Sequence, residues 1–147
     1  MKIPFSPPDI TDEEIKEVTE VLKSGWITTG PKTKELEEKI AGFCHTDRAV
    51  ALNSATACME MALRLFEIGP GDEVIVPAYT YTASASVVVH VGATLKLVDV
   101  GADSYHIDYD KLEELITDKT KAIIPVDIAG VMVDYDRIRD IVMDKKG

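Results

Sequence analysis

The stretch GDEVIVPAYTYTASASVVVHVGATLKLV, residues 71–98, decides the fold class. Its segments 73–76 and 94–98 are largely apolar and short enough for strands, and they flank a segment of helical length over 82–90. A buried strand that is followed by a helix and a second buried strand is typical of a parallel sheet that is covered on both faces. The sequence therefore predicts an α/β protein with a mostly parallel sheet and helices on both faces.

The same alternation continues on either side of this stretch. Before it, residues 49–52 predict a short buried strand and residues 55–68 predict a helix that ends at Gly69-Pro70-Gly71. After it, the pattern predicts a helix over 111–116 capped by Asp108, a strand over 121–126, and a final helix that is capped by Asp134 and ends at Gly147.

Two helices precede the alternating part. Thr11 and Glu14 form a capping box, after which apolar residues recur at helical spacing until Gly25. Pro31 opens the second helix, and an uncharged loop with the only tryptophan lies between the two. The predicted organisation is a pair of helices over 11–45 followed by alternating strands and helices over 48–147, with no linker.

Composition excludes several classes of protein. The chain has 147 residues, 46% of them apolar, and a net charge of −10, which is a globular and acidic composition. An acidic chain repels nucleic acid and anionic membranes, and no apolar run approaches the roughly 20 residues of a membrane span. The first eight residues lack an apolar signal core. We expect a cytoplasmic protein that binds neither nucleic acid nor membranes.

The cysteines and histidines show no metal-ligand pattern. Cys44 and Cys58 form no CxxC motif and lie in apolar helical patterns, so we expect buried free thiols. His45, His90 and His106 have no ligand spacing with one another or with the cysteines, so we expect structural or surface residues and no metal site.

The segment NSATA, residues 53–57, follows the first predicted strand and opens a helix. Free backbone N–H groups and the positive end of the helix dipole favour an anion at such a turn, and the small side chains let a phosphate approach. The alternative is that Asn53 or Ser54 is an ordinary helix cap that needs no ligand. These residues alone leave both interpretations open.

Further polar side chains follow the next strands at their carboxyl ends, where ligands bind in open α/β sheets. Tyr79 and Tyr81 are two residues apart, so one is free to stack on a planar ring, unless the loop is packed with one tyrosine buried. Asp99 and Asp127 end two strands, and each suits either acid–base chemistry or the formation of a turn.

In order and spacing, these segments together resemble the DegT/DnrJ/StrS family of sugar aminotransferases, which use pyridoxal 5′-phosphate (PLP). The resemblance covers essentially the whole chain. The matching segments are GWITTGP at 25–31, NSATA at 53–57, IGPGDEVIVP at 68–77, YTY at 79–81, VDV at 98–100, ID at 107–108 and KAIIPV at 121–126.

The resemblance implies a fold and a site. The fold is the N-terminal part of the large domain of a fold-type I PLP enzyme. The cofactor-binding residues it implies are Ser54, Ala55 and Thr56, which hold the phosphate, and Tyr81, which stacks on the pyridine ring. The implied substrate-binding residues are Trp26, Thr28 and Thr29. The implied reaction is transamination of a nucleotide-linked ketosugar, with glutamate as amino donor, in a homodimer that shares its site between subunits.

Two departures from the family pattern stand out. Asp127 occupies the place where many members have a histidine, which puts any role of that histidine in doubt. The family's Schiff-base lysine and the aspartate that pairs with the pyridine nitrogen lie beyond residue 147, so we expect no catalytic residue in this chain and no transamination by it alone. Strand 49–52 would then lack its partner and the edge of strand 121–126 would be open. We therefore expect a piece of a longer protein, or an oligomer that covers these edges.

Two alternatives stay open. One is a PLP-dependent sugar dehydratase of the same family, in which a histidine replaces the lysine. The other is a non-catalytic fragment with a regulatory or interaction role.

Overall fold

The computed structural model describes residues 3–4 and 6–146, and it divides into two compact units. Met1–Ala51, here called the helical unit, contains α1 (Asp12–Ser24) and α2 (Pro31–Cys44). Leu52–Gly147, the sheet unit, contains the remaining elements. These are α3 (Ala55–Leu65), β1 (Glu73–Pro77), α4 (Thr82–His90), β2 (Thr94–Val98), α5 (Tyr109–Leu115), β3 (Thr120–Ile123), a short 3-10 turn (Ile128–Gly130) and α6 (Tyr135–Lys146).

Local signals determine both helices of the helical unit. The Thr11 hydroxyl accepts from the N–H of Glu13 at 3.2 Å, while the Glu14 carboxylate accepts from the N–H of Thr11 at 2.6 Å. Gly25 ends α1 with φ of 74°, a left-handed conformation that glycine adopts without strain. Pro31 stands at the start of α2, as predicted.

The sheet is three-stranded and parallel in the order β2-β1-β3. Successive residues of β1 point to opposite faces. Val74 and Val76 join one buried cluster with Val87 and Val88 of α4, whereas Ile75 joins a second cluster with Leu112 of α5 and Ile138 of α6. The predicted α/β class, with a parallel sheet and helices on both faces, is therefore confirmed.

Two predicted elements are shorter in the structure, and one is absent. Helix 55–68 ends at Leu65, and strand 121–126 becomes Thr120–Ile123. Residues 49–52 form no strand, and Val50 is 74% exposed. The reason is that a strand needs a neighbour for its backbone, and within the described ranges no strand pairs with this segment. The backbone N–H of Ala51 donates instead to the Glu37 carboxylate at 2.9 Å.

The prediction of buried thiols is wrong, because both Cys44 and Cys58 are free and exposed. Leu63 is the buried residue of α3, and Cys58 lies about 140° away from it around the helix axis at 3.6 residues per turn. Cys44 is the last residue of α2. The periodic pattern identifies an apolar helix face, but it does not show whether anything covers that face.

The ends of the final helix agree with the sequence as far as the structure describes them. α6 begins at Tyr135, directly after Asp134, and extends to Lys146; the predicted end at Gly147 lies outside the described residues. None of the helices in the described ranges is long and apolar enough to cross a lipid bilayer.

Candidate functional site

The segment predicted to bind phosphate forms the first turn of α3. Ser54 is the N-cap, and its hydroxyl oxygen accepts from the N–H of Ala57 at 3.1 Å. The N–H of Cys58 donates to the Ser54 carbonyl at 3.1 Å, as in a regular first turn. The N–H groups of Ala55 and Thr56 lie in the first turn of the helix, where no carbonyl of the helix can accept a hydrogen bond from them. Ser54, Ala55 and Thr56 thus lie together at the helix N-terminus, where the backbone N–H groups of Ala55 and Thr56 point out of the helix.

This turn suits the phosphate of a cofactor such as PLP. Ala55 is exposed and carries only a methyl group, so an anion can approach the backbone amides closely. The Ser54 hydroxyl accepts from Ala57 N–H and still has its own proton to donate. The helix is eleven residues long, which gives its N-terminus the partial positive charge of the helix dipole.

α3 packs against α4, the helix that follows Tyr81. One exposed link between them is the Glu60 carboxylate, which lies 2.8 Å from Arg64 and 3.0 Å from Nδ1 of His90. Two hydrogen bonds lower the pKa of the Glu60 carboxyl below its ordinary value. The bond from Arg64 has the larger effect and the bond with His90 the smaller one. His90 is thus a surface residue that is hydrogen-bonded to Glu60, beside the ion pair of Glu60 and Arg64.

Tyr81 is the N-cap residue of α4 and is 82% exposed. Tyr79 is 54% exposed, so neither tyrosine is buried, contrary to the alternative of a packed loop. The Tyr79 ring lies against the ring of Tyr105, with centroids 5.3 Å apart and planes inclined by 31°. Tyr81 is therefore the tyrosine of this loop whose ring is most open to a planar ligand.

The loop predicted to bind substrate folds around its tryptophan in the helical unit. Trp26 Nε1–H donates to the carbonyl of Thr29 at 3.0 Å, and the indole lies over Gly30. A Cβ atom at Gly30 would overlap the Trp26 indole, so any larger residue there would require the indole to move. Trp26 and Thr28 line a cavity of about 530 Å³ together with residues of α1 and α2, among them Glu20 and Lys32. Thr29 takes part through its backbone carbonyl rather than as a residue of the lining.

Asp127 does not end a strand as predicted, because β3 stops at Ile123, and it has a structural role just before the 3-10 turn. Its carboxylate accepts from the N–H of Val133 and from the hydroxyl of Tyr135, both at 2.9 Å. The pKa of the Tyr135 hydroxyl is raised mainly by burial and to a smaller degree by the hydrogen bond to Asp127. These contacts hold the turn over Ile128–Gly130, which is the turn-forming alternative considered for this residue.

The other polar candidates have partners as well. Asp99 lies 3.2 Å from the ammonium of Lys111 on the surface, and His106 Nε2 lies 3.1 Å from the carbonyl of Val131. His45 is the left-handed C-cap of α2. Among the described residues no group of three or more His, Cys, Asp or Glu side chains is arranged to hold a metal ion.

Sequence reasoning missed three of these features. Tyr105 pairs with Tyr79, Tyr135 binds Asp127, and Glu20 and Lys32 line the tryptophan cavity. None of these contacts leaves a periodic signal, because each joins residues from different elements. The predicted site residues themselves fall into two sets, Ser54–Thr56 with Tyr81 in the sheet unit and Trp26–Thr29 in the helical unit.

The three-stranded parallel sheet with helices on both faces and the capped helix that opens with small residues define an α/β protein. The family model of the DegT/DnrJ/EryC1/StrS aminotransferases matches residues 8–146. The chain therefore belongs to this aminotransferase family, as the sequence segments predicted.

Several known proteins are similar to the chain. The protein Spr1654 from Streptococcus pneumoniae, solved in its PLP form, superimposes with a TM-score of 0.93 at 61% identity, over 99% of this chain and 37% of that structure. The spore coat polysaccharide biosynthesis protein SpsC of Bacillus subtilis is 44% identical over 128 residues, which is 87% of this chain and 33% of SpsC. The UDP-4-amino-4-deoxy-L-arabinose–oxoglutarate aminotransferase of Shewanella sediminis is 47% identical over the same share of each chain. The chain thus spans about a third of the length of the curated relatives it matches.

Proposed function

We propose that this chain supplies the phosphate-binding turn and the ring-stacking residue of a PLP-dependent sugar aminotransferase. The observation that carries the proposal is the first turn of α3, where the small residues after the Ser54 cap leave backbone amides open to an anion. Membership of the aminotransferase family and the likeness to a relative solved in its PLP form support it.

Each predicted residue has a defined task. The N–H groups of Ala55 and Thr56 bind the cofactor phosphate, and the hydroxyls of Ser54 and Thr56 donate to its oxygens. Tyr81 packs its exposed ring on the pyridine ring and holds it in place. When bound, PLP supplies an electron sink and carries the amino group between two substrates.

We further propose that the acceptor substrate is a nucleotide-linked ketosugar, that glutamate is the amino donor, and that Trp26, Thr28 and Thr29 contact the substrate. The cavity beside Trp26 and Thr28 is large enough for a sugar ring and offers both an indole face and polar groups. The Shewanella relative is named for a UDP-linked amino sugar and for oxoglutarate, the keto acid of glutamate. We assign both units to one large domain that works as a homodimer in the cytoplasm.

The phosphate turn is tested by removing one donor without unfolding the helix. Ala55 is the first residue of α3, a position where proline is tolerated, and Ser54 has the extended backbone that a residue before proline requires. Ala55→Pro therefore deletes a single N–H. In calorimetric titrations of the chain with PLP and with inorganic phosphate, we expect both affinities to fall about tenfold or more, the cost of losing a hydrogen bond to a charged group.

The matched control is Asp12→Pro, which places proline at the equivalent position of α1 and should leave both affinities unchanged. Thr56→Ala should weaken binding to a smaller degree. A wild-type chain that binds neither ligand, or an Ala55→Pro variant that binds both as well as the wild type, would overturn the proposal. The reaction itself is tested in the intact protein by release of 2-oxoglutarate from glutamate in the presence of a nucleotide-linked ketosugar.

A further inference from the structure

The loop between β1 and α4 is restrained by contacts on both sides of Tyr81. Before it, the N–H of Ala78 donates to the Val98 carbonyl at 2.7 Å, and the Tyr79 ring rests on Tyr105 at a centroid distance of 5.3 Å. After it, α4 begins at once with Thr82. The Tyr81 side chain, 82% exposed, thus projects from a backbone whose neighbouring residues are fixed.

Hydrogen bonds between residues 80, 81 and 84 also restrain the backbone at Tyr81 itself. The hydroxyls of Thr80 and Ser84 lie 3.0 Å apart, and Ser84 is buried at 7% exposure. The N–H of Ser84 also donates to the Tyr81 carbonyl at 3.1 Å. This side of the loop is therefore anchored in the buried part of α4, and on its other side the Tyr79 ring contacts the ring of Tyr105.

Tyr105 stands on a firmly bonded turn. Val100 and Ile107 form an antiparallel bridge across it, and the N–H of Gly101 donates to the carbonyl of His106 at 3.0 Å. Ile107 is 2% exposed and belongs to the buried cluster beneath α5 and α6. The backbone that carries Tyr105 is thus connected to the core of the sheet unit, although the Tyr105 ring itself is at the surface.

The tyrosine pair contributes little burial. Tyr79 is 54% and Tyr105 is 65% exposed, so most of both rings remains in water. The contact instead links the loop, two residues before Tyr81, to the turn that carries Tyr105. Resting on the function proposed above, we propose that Tyr105 is a positioning residue for the cofactor ring: it braces Tyr79 and thereby holds the Tyr81 ring in the orientation that stacks on pyridine.

The test separates the ring of PLP from its phosphate. Inorganic phosphate binds only the turn at Ser54–Thr56, whereas PLP also contacts Tyr81. We expect Tyr105→Ala to weaken PLP binding about two- to tenfold, the range of a single aromatic contact, and to leave the affinity for inorganic phosphate unchanged. Tyr105→Phe keeps the ring and should bind PLP like the wild type.

A double-mutant cycle shows whether Tyr105 acts through Tyr81. Tyr81→Ala alone should weaken PLP binding, and adding Tyr105→Ala to it should have no further effect, because the ring that Tyr105 positions is gone. The near-UV circular dichroism of the four remaining tyrosines gives a readout without ligand: because both variants lack the Tyr105 phenol, it should differ between Tyr105→Ala, which loses the ring contact, and Tyr105→Phe, which keeps it. The far-UV spectrum shows that each variant is folded.

The outcomes distinguish the two proposals. Unchanged PLP affinity in Tyr105→Ala, an equal loss of PLP and phosphate affinity, or additive effects in the cycle would overturn the positioning role and leave the proposed function intact. A Tyr81→Ala variant with wild-type PLP affinity would refute the stacking role and the positioning role together. A wild-type chain that binds no PLP would overturn the proposed function and this inference with it.

Discussion

The helical unit and the sheet unit are stabilised in different ways. Val74, Ile75 and Val76 of β1 are completely buried in the sheet unit, whereas α1 buries none of its residues and Ala41 is the one buried residue among those described in the helical unit. The helical unit relies on caps, a left-handed glycine and surface ion pairs such as Lys32–Glu17. Burial and local signals can each define helices of similar regularity, but they predict very different sensitivity to mutation.

The chain carries separate spectroscopic reporters for the two units. All five tyrosines lie in the sheet unit, and the single tryptophan, Trp26, lies in the helical unit. Tyrosine near-UV circular dichroism therefore reports the sheet unit, and selectively excited tryptophan fluorescence reports the helical unit. The stability of each unit can therefore be followed separately in one protein.

The largest expected effect is that of a cavity beneath the sheet. Ile75→Ala removes a side chain that is 0% exposed, and it should lower the free energy of unfolding reported by the tyrosines by about 2–5 kcal/mol. The control is Leu22→Ala in α1, where the side chain is 64% exposed and the tryptophan-reported stability should change by less than about 0.5 kcal/mol. Equal losses in urea unfolding would show that the contrast in burial does not govern stability.

An intermediate effect is expected at the capping box of α1. Thr11→Ala removes the hydroxyl that accepts from Glu13, and it should destabilise the helix by about 1 kcal/mol, measured by far-UV dichroism and tryptophan fluorescence. Thr19→Ala makes the same chemical change within the helix, where alanine is favoured, and should not destabilise it. Comparable losses in the two variants would argue against the cap.

The capping box also predicts a pH dependence. Hydrogen bonds from Thr11 lower the pKa of the Glu14 carboxyl below its ordinary value. A carboxyl whose pKa is lowered by folding stabilises the fold above its unfolded pKa, about 4.3, and loses that contribution as the pH falls through the folded value. Acid titration of the tryptophan signal should be less steep in Thr11→Ala than in the wild type. Identical acid transitions would contradict this.

The smallest expected effect is at Tyr135, whose pKa is raised by burial and by Asp127. Because folding raises this pKa, its contribution is fully present below the ordinary value of about 10 and is lost as the pH rises through the folded value. Tyr135→Phe should lower the free energy of unfolding by about 0.5 kcal/mol near neutral pH. This value is at the low end of the range for one hydrogen bond because Tyr135 is half-exposed. Alkaline unfolding followed by the tyrosine signal should then depend less steeply on pH, and an unchanged profile would refute the role of this bond.

The sequence predicts elements well where local and long-range signals agree. Thr82–His90 forms a helix with the predicted bounds despite its valines, because the strands on either side place it against Val74 and Val76. Asp108 accepts from the N–H groups of Asp110 and Lys111, so the predicted cap is present. The family was also recognisable, because its segments keep their order and spacing over the whole chain.

Long-range pairing explains what the sequence did not predict. Segment 49–52 has the composition of a strand, but a strand exists only where another one pairs with it. The contact between Tyr79 and Tyr105 joins two loops 26 positions apart, so no pattern in either loop reveals it. The roles of Ser54, Ala55, Thr56 and Tyr81 stay predictions, and the exposed positions of Ala55 and Tyr81 are compatible with them.

The exposed thiols have a practical consequence. Cys44 and Cys58 both face solvent, so chains stored in air can cross-link through intermolecular disulfides. Such covalent pairs would migrate as dimers on a non-reducing gel and would be mistaken for the homodimer proposed above. Sedimentation in a reductant, or of a variant with both cysteines changed to serine, counts only the subunits that associate through their surfaces.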